Sequence, residues 1–370
     1  MAISIKSYTE EWIPAVKAFN QRLATGGVPS EFHFPEKDVP SWLPKRDGRR
    51  IYQEFYLALE GQEVRGAFIL KTQDFSVRGK IQVVAFYHLP ISEGIINKRY
   101  SSVGVHMLRS ATKAAPLLFC LGMGGFDRPL PQMLRAMGWN LHALPFYFRV
   151  LHPANFLRQI APLRQTPGRR FLADLAALTG TGWIGINILQ RFHAARHDQF
   201  TKTELVGRFG NWADELWERC HSHYMLIACR DSTNLNILYP TNKNFLCLKV
   251  TRDKEVLGCV VMLDTKMQNN RYFGCLRVGA IADCLASPEN AGTVIQAATR
   301  FLEDRGVDLI VSNQSHVAWT EALKSAGFLK GPSNFIVATS KPLSQLIFPF
   351  ESNQNQLFFM RGDGDGPVNL

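Results

Sequence analysis

Apolar residues follow two rhythms along this chain. Over three stretches, near 52–59, 64–72 and 80–89, they alternate or run together, with Ile81, Val83, Val84 and Phe86 in the last; three strands are predicted, the first two as a hairpin. From 101 to 114 the spacing becomes helical, and Pro116 to Leu121 then reads as a buried strand. A further helix ends at Gly138, where a glycine after the last turn supplies a left-handed cap, and a strand follows through Phe146, Tyr147 and Phe148. An amphipathic helix near 9–24 leads the series.

The second half repeats the first. Leu134-Arg-Ala-Met-Gly138-Trp139 matches Leu323-Lys-Ser-Ala-Gly327-Phe328 at an offset of 189 residues, and the same offset pairs Phe146 with Phe335, Pro153 with Pro342 and Leu157 with Leu346. Upstream, Glu63-Val64-Arg65-Gly66-Ala67 matches Glu255-Val256-Leu257-Gly258-Cys259 at an offset of 192. Self-similarity of this kind marks a duplicated unit. The second copy predicts strands near 245–251, 256–264 and 275–285, a helix near 290–305, a strand at 308–312, a helix ending at Gly327 and a strand at 335–339, again behind an amphipathic helix, near 203–224.

The reading is an α/β chain of mixed sheets in two tandem domains, 1–153 and 201–350, with a helical linker at 154–200 and a flexible tail at 351–370. The linker carries Phe171, Leu172, Leu175 and Leu178 at helical spacing and is expected to pack; Asp174, Asn187 and three glycines weigh against an interfacial membrane helix. No secretory leader and no apolar run long enough for a membrane span stands out, so a cytoplasmic location is expected. Seven cysteines fall singly in apolar stretches without metal or redox spacing, so buried free thiols and no metal site are expected. The net charge of +11 is uneven: residues 1–165 hold 21 Lys and Arg against 12 Asp and Glu, which favours an anionic ligand in the first copy.

This order of elements resembles the GNAT superfamily of acyl-CoA N-acyltransferases. The resemblance rests on the E-V-x-G hairpin, the apolar strand running into a helix start, and the helix ending in Gly-Trp or Gly-Phe before a hydrophobic strand, which occurs twice. It implies a fourth and a fifth strand that part, with the pantetheine arm of acetyl-CoA or another acyl-CoA lying between them. It also implies a pyrophosphate on backbone N–H groups at the following helix start, where orphan donors and the helix dipole favour an anion. The family signature [QR]-x-x-G-x-[GA] is met by Arg99-Tyr100-Ser101-Ser102-Val103-Gly104, with Ser102 in place of the first glycine. The cofactor residues it implies are Leu89, Lys98, Arg99, Ser101, Ser102, Val103, Gly104 and Gly122, with Arg109 adding charge. The second copy has Ser287-Pro288-Glu289-Asn290-Ala291-Gly292 there, without a leading basic residue, and is expected to have lost the cofactor.

Acyl transfer to an amine needs a neutral nucleophile, a polarised carbonyl and a proton for the departing thiolate. The tyrosine that the family often supplies as acid is absent: Leu134 and Leu323 stand at its positions. His88 and Glu93 are the catalytic candidates, followed by Tyr87 and Asp127, and Asp283 is a candidate for orienting the acceptor. The implied acceptor is a small-molecule amine such as an amino sugar. Two rival readings keep the fold: a Fem-like transferase using aminoacyl-tRNA, against which the missing coiled-coil insertion argues, and a non-catalytic acyl-CoA-binding protein. Gly180 to Gly185 satisfies G-x-G-x-x-G but follows a helical stretch, so a dinucleotide site is not expected, and nucleic acid is not expected as a partner.

Overall fold

A computed structural model describes residues 3–161, 166–179, 185, 188, 190, 201–241, 244–364 and 366. The chain forms two compact units, one made of Met1–His142 with Ile336–Glu351, the other of Ala143–Phe335 with Ser352–Leu370. Strands are numbered along the chain. In the first unit they are β1 (Ser4–Ser7), β2 (Tyr52–Glu60), β3 (Glu63–Val77), β4 (Lys80–Ser92), β5 (Leu118–Leu121), β6 (Asn140–Ala143) and the distant β15 (Ile336–Thr339). In the second they are β7 (Phe146–Val150), β8 (Thr201–Leu205), β9 (Leu226–Ala228), β10 (Leu246–Arg252), β11 (Glu255–Lys266), β12 (Arg277–Ala286), β13 (Leu309–Asn313) and β14 (Leu329–Gly331).

The two sheets are built alike. Order β1-β2-β3-β4-β5-β15-β6 in the first unit answers β8-β10-β11-β12-β13-β7-β14 in the second. Both predicted closing strands exist, but each closes the sheet of the other copy: β15 pairs antiparallel with β5, and β7 with β13 and β14. The compact units therefore do not follow contiguous boundaries at 153 and 201. Short edge strands were not foreseen either. Residues 203–205, expected to open a helix, belong with Thr201 and Lys202 to β8, which pairs with β10, and the helix proper is Asn211–Cys220. Four mostly exposed residues, as in β1, carry no apolar period to read.

The repeated motifs have physical causes. Gly138 and Gly327 both adopt positive φ, 76° and 80°, and the amides of Trp139 and Phe328 reach back to the carbonyls of Leu134 and Leu323, each at 3.0 Å. That back-bond closes the helix end, and only a residue at ease in the left-handed region fits before it. The glycine of E-V-x-G serves close packing instead. A Cβ at Gly66 would stand 2.7 Å from Met107 Sδ and 2.9 Å from Val103 Cγ1, and one at Gly258 would stand 2.6 Å from Val294 Cγ2. In both copies the helix after the fourth strand thus lies directly on the third.

Those helices, Val103–Ala114 and Ala291–Asp304, bury one stripe each: Val103, Met107, Leu108 and Ala111 in the first, Val294, Ile295, Ala298 and Leu302 in the second. Each large aliphatic side chain so buried contributes about 1.5–3 kcal/mol. A second core lies under the first sheet, where the helix Ile13–Thr25 presents Val16, Phe19 and Leu23 to Phe55, Leu57 and Ile69.

Three expectations are corrected here. The C-terminal segment is packed, not free: Leu357, Phe358, Phe359 and Met360 are fully buried, and Asp363 is nearly so. The helix Pro167–Thr179 exists, but Phe171, Leu172 and Leu178 stand exposed on it instead of packing. All seven cysteines are free and six are buried, while Cys275 is exposed. No helix among the described residues is long and apolar enough to cross a membrane.

Candidate functional site

The fourth and fifth strands of the first copy pair only briefly. Ala85 and Phe86 lie beside Leu118 and Phe119, and beyond them β4 runs on to Ser92 with no strand on that side among the described residues. Here β4 also carries a bulge. Ile69 pairs with His88 and Ala67 with Ile91, so Leu89 and Pro90 together face the single residue Phe68, and Leu89 takes a φ of +44°. A two-against-one bulge lifts residues out of the ladder and turns a backbone group toward whatever lies beside the strand.

Past the bulge, the chain makes two short 3-10 turns, Glu93–Ile95 and Lys98–Tyr100, before the helix Val103–Ala114. Asn97 Oδ1 accepts from the Arg99 amide at 3.0 Å. Ser102 precedes the helix without a side-chain cap. Lys98, Arg99, Ser101, Ser102 and Arg109 are exposed, Gly104 is half-buried and Val103 is buried. The structure thus gathers the predicted signature at one helix start, where N–H groups and basic side chains face solvent together.

A buried charge network fixes this loop. Glu93 is nearly inaccessible, and each of its oxygens accepts from a guanidinium: Arg22 Nε at 2.6 Å and Arg65 Nη1 at 2.9 Å. Arg65 also binds Glu60 and Glu63, and it lies 4.4 Å above the Tyr100 ring, whose hydroxyl donates to Glu60 at 3.2 Å. Both Glu93 oxygens are therefore committed to guanidinium protons. That makes the residue an anchor for the loop, not an open acceptor for a substrate proton.

His88 is half-buried on β4 with its ring 5.0 Å from that of Phe86. Tyr87 points to the opposite face and is wholly buried, yet its hydroxyl has no hydrogen-bond partner among the described residues. Burial raises its pKa well above the ordinary value, with Cys120 adding to the rise, so the group stays protonated. An unmatched buried hydroxyl costs about 1–3 kcal/mol, and this one sits where β4 leaves β5. Leu134, at the position of the family's usual acid, is fully buried in the same apolar cluster. Asp127 is exposed ahead of the helix Pro129–Ala136. Gly122 follows β5 with a φ of +95°, and its amide is spent on Ile336 at 2.9 Å.

The second copy has the same opening, differently occupied. β12 and β13 pair from Val278–Leu309 to Ile281–Ser312 and then part, with a bulge at Ala282. Into that gap runs the C-terminal segment. Met360 bridges Gln314, the Ser315 amide donates to Phe359 O at 3.2 Å, and the Phe359 amide donates to Ser315 Oγ at 2.7 Å. On the other side Gly362 lies so near that a Cβ would meet Ala282 O at 3.2 Å. Asp283, one residue past this bulge, accepts from Arg230 Nε at 2.7 Å and from the Tyr239 hydroxyl at 2.6 Å, while Arg230 also donates to Asp363 at 2.8 Å. Burial works against the Arg230 charge, and the two carboxylates outweigh it, raising its pKa. Asp283 is thus a lock within the fold, not a free acceptor-orienting group. The sequence did hold a signal: four consecutive apolar residues, Leu357 to Met360, stand directly before Arg361-Gly-Asp-Gly.

No protein-family model and no curated protein matches the sequence. Solved structures do match in fold. A conserved protein of unknown function from Enterococcus faecalis V583, described as a probable N-acyltransferase, aligns with a TM-score of 0.52 at 10% identity over 93% of this chain and 74% of its own. A GCN5-related N-acetyltransferase from Anabaena variabilis aligns with a TM-score of 0.52 at 10% identity over 91% and 72%. This chain carries the tandem GNAT fold. The Saccharomyces cerevisiae N-myristoyltransferase, solved with bound myristoyl-CoA, is a third neighbour, with a TM-score of 0.50 at 11% identity over 91% and 82%.

Within the GNAT frame the two openings are the places at issue, one unpaired on β4 and one threaded by the chain's own end. Among the described residues no cluster of metal-ligating side chains occurs. The sequence Gly180 to Gly185 lies, apart from Gly185, outside the described residues.

Proposed function

We propose that this chain is an acyl-CoA-dependent N-acyltransferase that takes its thioester donor in the first unit and transfers the acyl group to a small-molecule amine, an amino sugar being one suitable class. The observation that carries the reading is the parting of β4 and β5 past Phe86 and Phe119, with the bulge at Leu89 and Pro90 and a basic helix start at its end. An extended pantetheine arm is chemically a strand without side chains, and such an edge suits it. The diphosphate would lie at Ser101 to Gly104 beside Lys98 and Arg99.

In this reading the amine attacks the thioester carbonyl, whose oxygen gains charge and draws on a backbone N–H at the bulge. His88 takes the proton that the attacking amine sheds. The carbon–sulfur bond then breaks, and the proton held by His88 passes to the departing thiolate, so that the amide and CoA thiol form and the imidazole is returned neutral. Glu93 acts indirectly, by holding the loop through Arg22 and Arg65. A soluble, cytoplasmic setting and freedom from nucleic acid belong to the same proposal.

The test is release of CoA thiol from a panel of acyl-CoAs and amines, amino sugars included, with thermal stabilisation by each donor alone. Arg99→Glu should weaken donor binding about tenfold or more, whereas Arg271→Glu, on the exposed turn of the second unit, should leave it unchanged. If no acyl-CoA either stabilises the protein or yields thiol, the reading fails. If aminoacyl-tRNA binds in a salt-sensitive way instead, the Fem-like donor replaces it.

A further inference from the structure

The opening between β4 and β5 is bordered by positive charge. Residues 97–139, which form the loop, the strand and the two helices beside it, hold Lys98, Arg99, Arg109, Lys113, Arg128 and Arg135 against one acid, Asp127. All six basic side chains are exposed. Among the described residues no carboxylate pairs with any of them; Arg99 and Arg135 lie instead 5.7 Å and 5.5 Å from the rings of Tyr100 and Phe126. The second copy shows that the fold does not ask for this. Its corresponding residues 286–328 hold Arg300, Arg305 and Lys324 against Glu289, Glu303, Asp304, Asp308 and Glu321. One frame thus carries opposite net charge in its two copies, and the basic copy is the one whose opening the C-terminal segment does not thread.

A CoA molecule does not account for the spread. Its diphosphate needs the helix start, whereas Lys113 stands ten residues beyond Val103, about 15 Å along the axis. At 100° per residue His106, Arg109 and Lys113 share roughly 60° of arc, on the side away from the buried Val103, Met107, Leu108 and Ala111. Arg128 precedes the neighbouring helix Pro129–Ala136 and Arg135 lies on it; the two helices adjoin, for Met133 Sδ is 3.6 Å from where a Cβ of Gly104 would stand. Their outward charges make one surface leading to the opening, with Phe126, 38% exposed, beside Arg135. Basic side chains around an exposed aromatic suit an acidic protein.

We propose that this surface docks an acidic carrier protein, which passes an acyl thioester into the opening on a 4′-phosphopantetheine arm. The proposal rests on the reading of that opening as the site of a pantetheine donor, and adds that the arm arrives attached to protein. The one phosphate that joins such an arm to its carrier falls at the helix start of Ser101 to Gly104, beside Lys98 and Arg99. Acids of the carrier then meet Arg109, Lys113, Arg128 and Arg135. The reaction is the same: the carbon–nitrogen bond forms and the carbon–sulfur bond breaks, the proton of the amine passes by way of His88 to the thiolate, and the carrier leaves with a free thiol. A nucleic acid would satisfy the charge but brings no arm to fill the opening.

Fluorescence anisotropy of a labelled acyl carrier protein of fatty-acid synthesis, loaded with acetyl or octanoyl and titrated with the full chain, tests it beside thermal stabilisation by the matching acyl-CoA. The loaded carrier should bind, the carrier stripped of its arm should bind at least about tenfold more weakly, and about 0.5 M salt should weaken the association. Lys113→Glu with Arg135→Glu should lower carrier affinity more than about tenfold while stabilisation by acyl-CoA keeps its wild-type value, since both side chains are exposed and lie outside the helix start. The inference is overturned if acyl-CoA stabilises the protein and the carrier does not bind, an outcome that leaves the acyl-transfer reading standing; failure of both donors removes that reading and the inference with it. It is overturned equally if the stripped carrier binds as tightly as the loaded one, if the double variant binds carrier like the wild type, or if it loses acyl-CoA to the same degree. Binding of transfer RNA in place of the carrier would overturn it too and make the surface a nucleic-acid face.

Discussion

The two copies open their sheets at the same point and treat the opening in opposite ways. In the first, β4 runs past β5 from Tyr87 to Ser92 with no strand on that side among the described residues, and a basic helix start lies at its end. In the second, Leu357 to Asp363 thread the gap between β12 and β13 and are locked there by Arg230, Asp283, Asp363 and Tyr239. A splayed strand pair leaves backbone groups that must be satisfied by something. The comparison teaches that a duplicated fold can close one opening with its own chain while leaving the other open.

The lock is the place to break that comparison, and the largest effect is expected there. Arg230→Met leaves Asp283 and Asp363 buried without their counter-charge and should destabilise the protein by about 3–5 kcal/mol, read from urea unfolding. Adding Asp283→Asn and Asp363→Asn to Arg230→Met should recover a large part of the loss, because uncompensated charge is the main cost. If Arg230→Met unfolds at the wild-type urea concentration, the segment is not locked as described.

The duplication was legible because it rests on local chemistry. A helix that ends by back-bonding from Trp139 to Leu134 needs a left-handed residue between them, so Gly138 and Gly327 announce themselves. The helix start at Ser101 to Gly104 was legible for a similar reason, since it is a short motif with charge beside it. The exchange of β7 and β15 was not legible. Phe146 to Val150 present the same apolar strand pattern whichever β-sheet they join, and pairing across so many residues leaves no trace in spacing. The partners of Glu93 were not legible for a related reason: Arg22 and Arg65 come from distant segments. Asp283 likewise takes its partner from the far end of the chain, by way of Arg230.

A pH comparison sharpens the contrast with less force. His316 in the second copy stands 189 residues from Asp127 in the first; Asp127 is exposed, whereas His316 is buried against Tyr224, its ring centroid 4.8 Å away, and its Nδ1 accepts from the Ala318 amide at 3.2 Å. Burial lowers its pKa to about 4 from the ordinary 6.5. The unfolded chain therefore binds a proton that the folded one refuses, so this contribution is complete above about pH 6.5 and is lost as pH falls toward 4. The loss is up to roughly 3 kcal/mol. His316→Asn keeps a side-chain cap for the helix and should flatten the acid limb of the unfolding curve between those values. An unchanged limb would assign the pH dependence to other groups.

The finest test sets the two close-packed glycines against each other. Gly66→Ala forces Val103 and Met107 away from β3, and Gly258→Ala forces Val294 from β11, so each should cost about 1–3 kcal/mol of stability by overpacking. Their effects on a donor should differ. Val103 opens the helix whose start carries Arg99, Ser101 and Ser102, so displacing it moves the proposed diphosphate site by a few tenths of an ångström or more. Val294 belongs to a helix whose opening is already threaded by Met360. Isothermal titration with acetyl-CoA should therefore show weakened binding for Gly66→Ala and wild-type binding for Gly258→Ala at temperatures where both remain folded. Equal loss in both would mean that the openings are coupled or that the donor sits in the second, and the distinction drawn between them would have to be given up.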